Sequence, residues 1–299
     1  MMRVFSTNVK YVALLCCVGG LLGSCNVINP VEPTPTYIHI DSFQFLPNYS
    51  LNPAALTFSH DITQVWAYYN GVLIGEFDLP CTFPVITNST QTGKLQLWAG
   101  TVIDGYNNTL DIYPFYIPDT SLVVNFKPGT TTNYTPKTTY YTKTKISEQV
   151  KYDFETSFIP FKLASGNCSL QVINNDTSLA FYSSGVGSIY MSNPAVDSSE
   201  DSTGSFNIPS GAAYIEFNYK TDVQFYVGLQ GTLGGSIIDK QYLIGIAPSS
   251  GKWRKFYLNV KEFAMNHPGG IFNLFIKTSL PAGQATGRVL LDNIQLVTF

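Results

Sequence analysis

The feature that most constrains this chain is a succession of short runs with period-2 alternation, cut by Gly, Pro, Asn and Ser. AYIEFNYK (Ala213 to Lys220), VQFYVGLQ (Val223 to Gln230), KWRKFYLNV (Lys252 to Val260) and IFNLFIK (Ile271 to Lys277) are of this kind, and VLLDNIQLV (Val289 to Val297) closes the series. Alternation of this length, rich in aromatic and β-branched residues, predicts half-buried strands, and many such strands separated by turn residues predict a β-sandwich. No long segment with a 3.6-residue period interrupts them. Only 12% of the residues are charged while 44% are hydrophobic, which suits pleated sheets better than solvated helices. The expected fold class is all-β, with two β-sandwich domains.

The N-terminus is of a different character. Arg3 and Lys10 precede an apolar stretch from Tyr11 to Leu22 that is too short for a bilayer span of about 20 residues, so residues 1–24 read as an export signal. Leu22, Gly23, Ser24 and Cys25 resemble the lipobox of bacterial lipoproteins. That resemblance implies cleavage before Cys25, lipidation of Cys25, and a membrane partner through the lipid anchor. The expected location is the cell envelope at the outer membrane, with the membrane face open. Residues 25–36 contain Pro30, Pro33 and Pro35 and read as an extended tether, about 11 residues at roughly 3.1 Å each. Cys16 and Cys17 would leave with the signal, and Cys81 and Cys168 then read as two half-buried thiols in different halves of the chain.

Residues 37–147 form the expected first domain with a linker. Val65 to Phe77, VWAYYNGVLIGEF, is two apolar runs joined by Asn70-Gly71, a type I′ hairpin signal. With the LPCTFPV that follows, it resembles immunoglobulin- or prealbumin-like surface modules. Thr130 to Lys145 is poor in apolar residues and reads as the boundary, although it could add a strand to either sheet. Residues 148–299 form the expected second domain. Its opening YDFE (Tyr152 to Glu155), Gly251-Lys252-Trp253 entering a strand, and Asp292-Asn293-Ile294 in the last strand resemble jelly-roll, galactose-binding-like carbohydrate-binding modules.

Alternation assigns faces. Trp253, Lys255, Tyr257 and Asn259 oppose Phe256, Leu258 and Val260; Tyr214, Glu216 and Asn218 oppose Ile215 and Phe217; Gln224, Tyr226 and Gln230 oppose Phe225, Val227 and Leu229. Aromatic rings cover the C–H face of a sugar while amides and carboxylates bond its hydroxyls. Trp253, Tyr257, Tyr226, Tyr214, Glu216, Gln224 and Asn259 are therefore the candidate glycan-binding residues, the alternative being that these aromatics pack against the core or under loops. The resemblance further implies a structural calcium ion held by Asp153, Glu155 and Asp292, against the alternative of solvated carboxylates at strand ends.

Net charge of −3 and the lack of a basic cluster argue against nucleic acid. His39, His60 and His267 fall in no zinc spacing, and no nucleophile elbow or phosphate-cradling loop is present. The sequence thus points to a lipid-anchored, non-catalytic glycan-binding protein. A structural or adhesive lipoprotein with a protein partner is the competing class, and a glycan-active hydrolase the third.

Overall fold

The computed structural model describes residues 32–47, 59–86, 93–105, 110–124, 127–181, 184–194 and 196–299. Cys25 and the motif from Leu22 lie outside the described residues, as does most of the tether. The chain is nearly all β and builds two sandwiches.

The first contains β1 (Thr36–Ile40), β2 (Gln44–Phe45), β3 (Ile62–Tyr69), β4 (Val72–Asp78), β5 (Cys81–Val85), β6 (Gly93–Val102), β7 (Leu110–Ile112), β8 (Val123–Val124), β9 (Thr131–Asn133) and β10 (Lys137–Thr138). One layer has the order β4-β3-β6-β7, with β8 also on β6; facing it are β5-β1-β9 and the pair β10-β2. Asn70 and Gly71 take φ of 48° and 82°, the left-handed angles that a type I′ turn between β3 and β4 demands. Ile38, Ile40, Val65, Ala67, Phe83, Leu95 and Leu97 fill the core between the layers. The Thr-rich stretch supplies β9 and β10, which pair in parallel with β1 and β2. Threonine needs no apolar run to join a short edge strand, because pairing and β-branching suffice there.

The second sandwich contains β11 (Lys145–Tyr152), β12 (Phe161–Gly166), β13 (Gln171–Ile173), β14 (Val186–Met191), β15 (Ser198–Thr203), β16 (Ala213–Thr221), β17 (Phe225–Leu233), β18 (Ser236–Ile246), β19 (Arg254–Asn259), a one-turn helix α1 (Lys261–Asn266), β20 (Ile271–Ser279) and β21 (Gly287–Thr298). We call β13-β14-β21-β16-β19, with β11 on β21, the inner sheet, and β12-β15-β20-β17-β18 the outer sheet. Every pairing in them is antiparallel. From β14 to β17, and again from β18 to β21, successive strands alternate between the sheets, as in a jelly roll. Ile215, Phe217, Leu258, Val289 and Leu296 of the inner sheet meet Phe225, Val227, Leu229, Leu274 and Ile276 of the outer sheet in one core. Cys81 and Cys168 are unbridged thiols, one in each sandwich.

Candidate functional site

The far face of the inner sheet is where most of the candidate residues lie, and it is not open. Alternation carries Tyr214, Glu216 and Asn218 of β16 to that face, opposite Asn259, Tyr257 and Lys255 of β19. The first sandwich covers them. Glu216 is fully buried and pairs with Lys255 at 2.5 Å. Its carboxylate also accepts hydrogen bonds from the hydroxyls of Tyr113 and Tyr140 and the amide of Gln295. The Lys255 ammonium donates to the Ser59 carbonyl and to Tyr140 Oη as well. Tyr257 Oη accepts from the Asp61 amide and bonds Tyr116 Oη at 3.1 Å, and its ring lies 4.7 Å from that of Tyr113. Tyr214 meets Tyr113 and Phe115 edge-on. Burial, then the Glu216 charge, pushes the Tyr257 and Tyr113 hydroxyls well above the usual tyrosine range.

Tyr214, Glu216 and Tyr257 are therefore not glycan contacts. They form a seam between the sandwiches, because this aromatic face is complementary to Tyr113, Phe115, Tyr116 and Tyr140 of the first sandwich. Asn259 belongs to the same seam: its amide donates to Asp104 Oδ1 at 2.7 Å and its side chain accepts from the Lys261 amide. Trp253 is half-buried just before β19, where it packs on Phe181, 5.4 Å between ring centroids, and a small cluster of Ala180, Val186 and Leu290.

Gln224 and Tyr226 have a different setting, on the solvent face of the outer sheet, and Tyr226 is 41% exposed. Registers across the five strands place one row as Lys162, Ser202, Phe275, Gly228 and Tyr242, and the next as Glu200, Lys277 and Tyr226. On the other side of the first row, Asn273, Gln230 and Lys240 make a third. Phe275 points away from the core yet is 1% exposed, because Tyr242 meets it edge-on at 4.9 Å and Lys240 lies over its ring at 4.8 Å. Tyr226 and Tyr242 stand 6.3 Å apart, ring to ring.

Glu200 is the hub. It is paired with both Lys240 and Lys277 and accepts from Tyr242 Oη at 3.0 Å. Burial pushes its carboxyl up, but the bonds from Lys240 and Tyr242 and the two ammonium charges outweigh it and hold the group below the usual carboxylate range. The bond to Tyr242 and the Glu200 charge in turn raise Lys277. The result is an open platform with two accessible tyrosines, three amide side chains and a fixed cluster of charge. Alternation in VQFYVGLQ pointed to Tyr226 and Gln224; Glu200 and Ser202 lie in SSEDST, where no apolar alternation marks a strand.

The carboxylates expected to hold calcium are separately satisfied. Asp292 is fully buried and accepts from the amides of Asn293 at 2.8 Å and Phe181 at 3.3 Å. Glu155 accepts from the Gly185 amide at 3.0 Å and the Ser184 hydroxyl at 3.1 Å, and Asp153 from the Glu155 amide. Among the described residues no group of three His, Cys, Asp or Glu could hold a metal ion. The set does not fit a calcium site, which needs six to eight oxygens. Burial, helped by the charges of Glu155 and Asp153, pushes the Asp292 carboxyl up to about 7.

No family model matches the chain. No curated protein matches it either. Among solved structures it is similar to TmCBM61 in complex with β-1,4-galactotriose, at 18% identity and TM-score 0.36, over 48% of this chain and 92% of that one. It is also similar to the CBM22-1 xylan-binding domain of Paenibacillus barcinonensis Xyn10C, at 15% identity and TM-score 0.37, over 51% and 93%. A third likeness, to carbohydrate-binding modules of the β-sandwich superfamily, has 12% identity and TM-score 0.38 over 78% and 84%. At these scores the likenesses assign no activity to the chain.

Proposed function

We propose that this chain is a lipid-anchored cell-envelope protein whose second sandwich binds a glycan, without cleaving it, on the solvent face of the outer sheet. The observation that carries the reading is the open platform of Tyr226 and Tyr242 beside Gln224, Gln230, Asn273 and the Glu200 cluster. Rings of this kind take the apolar face of a saccharide, and amides and ammonium groups take its hydroxyls. Over β16 and β19 the far face of the inner sheet is covered by the first sandwich, whereas the platform on the outer sheet is open. Hydrolysis through paired carboxylates needs two acids across the bound sugar. Glu200 is the carboxylate of this platform, and two lysines engage it. Anchoring rests on the lipobox at Leu22 to Cys25.

A broad glycan array with the purified protein tests the binding reading. Tyr226→Ala should abolish the signal with the melting temperature unchanged, and Tyr242→Ala should abolish it at some cost in melting temperature, because Tyr242 covers Phe275 and bonds Glu200; silence across the array for the intact protein would defeat the reading. Labelled palmitate should enter the wild type and not Cys25→Ala. A protein partner is the second reading, favoured by Leu233, Ile237, Ile238 and Ile271, which stand 40–63% exposed around the β17–β18 turn. An array without hits and a stable complex disrupted by Ile237→Lys would establish it instead.

A further inference from the structure

We propose that the ligand of the outer sheet is an acidic glycan, a saccharide carrying carboxylate or sulfate groups; the inference rests on the glycan-binding reading above. The platform is cationic on an anionic chain. The whole sequence has 17 Lys and Arg against 20 Asp and Glu, whereas the solvent face of the five strands bears Lys162, Lys240 and Lys277 against Glu200 alone among its described residues.

Nor does Glu200 cancel a neighbouring ammonium where a ligand would meet it. Its side chain is 7% exposed, while those of Lys240 and Lys277 are 34% and 46% exposed. The carboxylate is sunk into the sheet, while the lysine side chains that engage it are partly open to solvent. Each ammonium has three N–H donors, so binding Glu200 leaves capacity on both. A neutral sugar laid across the tyrosines would strip water from these cations and return no charge to them, which costs free energy. An acidic sugar meets the same groups with a counter-charge.

The cations also extend across the face. The ammonium groups of Lys240 and Lys277 converge on Glu200 near the middle of the sheet, and Lys162 stands on the edge strand β12, two strand spacings or about 10 Å from β20. A chain lying over Tyr226 and Tyr242 and on toward β12 would pass all three cations. They are lysines, point charges without the planar fork by which arginine selects a carboxylate, so charge rather than anion geometry defines the class.

The test is calorimetric titration of the purified protein at pH 7 with three oligosaccharides of equal length: oligogalacturonate, a sulfated oligogalactan and a neutral oligogalactan. One or both acidic probes should bind about tenfold or more tighter than the neutral one, and the advantage should shrink as salt rises from about 0.05 to about 0.5 M. Whichever acidic arm binds identifies carboxylate or sulfate as the anion. Lys162→Gln, an exposed change that leaves Glu200 and its partners in place, should cut the acidic advantage severalfold without moving the melting temperature, and Lys277→Gln should cut it further. Neutral probe binding as tightly as the acidic ones, and lost in Tyr226→Ala, overturns the acidic class while keeping the glycan reading. Acidic preference unaltered in both lysine variants overturns the assignment to this face. Absence of binding by all three probes, together with a silent glycan array, overturns both proposals.

Discussion

Glu216 and Lys255 form an ion pair at 2.5 Å whose side chains are 0% and 2% exposed, in the seam where the two sandwiches meet. Every donor of the ammonium has a partner in Glu216, Ser59 and Tyr140, and the carboxylate has four. Taking two charges out of water is costly, and only such full satisfaction recovers the cost. Glu216→Gln strands a buried ammonium and should destabilise the protein by about 3–5 kcal/mol in chemical denaturation. Glu216→Leu with Lys255→Met removes both charges and should recover most of that loss. A double variant no better than the single one would show that the seam depends on the pair itself.

Acidity should act through Asp292. Its carboxyl stands near 7 in the folded chain and about 3.9 in the unfolded one, so the folded state prefers the proton. The stability associated with this group is fully present below about pH 4 and falls as pH rises to about 7, a loss on the order of 4 kcal/mol at the upper end. Asp104, pushed up to about 6 chiefly by burial, acts in the same direction over a narrower window. Asp292→Asn should therefore raise the melting temperature at pH 8, change little at pH 4, and flatten the profile between. Calcium in the millimolar range should leave the wild-type transition in place; a rise that Asp292→Asn removes would show that Asp153, Glu155 and Asp292 hold an ion.

Gly228 sets the floor of the platform. A Cβ added there would meet the Gln241 carbonyl oxygen and the Phe275 ring, each at 2.2 Å. Because one of these is backbone of the paired strand, it cannot swing aside. Gly228→Ala should destabilise by about 1–3 kcal/mol and weaken the proposed glycan binding along with it, seen in denaturation and titration of one preparation.

Trp253 and Tyr226 should separate cleanly. Trp253→Ala opens the small cluster with Phe181 and Leu290 and should lower stability by about 2 kcal/mol while leaving glycan affinity within twofold. Tyr226→Ala should do the reverse. Loss of binding in Trp253→Ala at full stability would restore it as a ligand contact.

Much of the architecture was legible because alternation and turn chemistry are local. Asn70-Gly71 specified its hairpin, and AYIEFNYK, KWRKFYLNV and VQFYVGLQ present the two faces that their period requires. What local pattern cannot say is which face another layer will cover. Tyr257 and Tyr226 alternate in the same way along their strands, yet one is buried under the first sandwich and the other is open. Glu200 was hidden for the complementary reason. SSEDST lacks the residues that favour a strand, and it becomes one only because β12 and β20 pair with it on both sides. The acidic trio shows the same limit, since carboxylates named from short motifs do not specify the remaining oxygens of a cation site.

The seam also has a mechanical meaning. Tension applied to the outer sheet and resisted at the N-terminus can reach the first sandwich through the polypeptide between β10 and β11, or through the tyrosines and ion pair that bridge the layers. Separating those groups without water to receive them is steep over short distances, so the bridge resists small displacements stiffly and then gives way at once. Two sandwiches joined in this way would thus shift together, passing load from the outer sheet to the first sandwich with little slack.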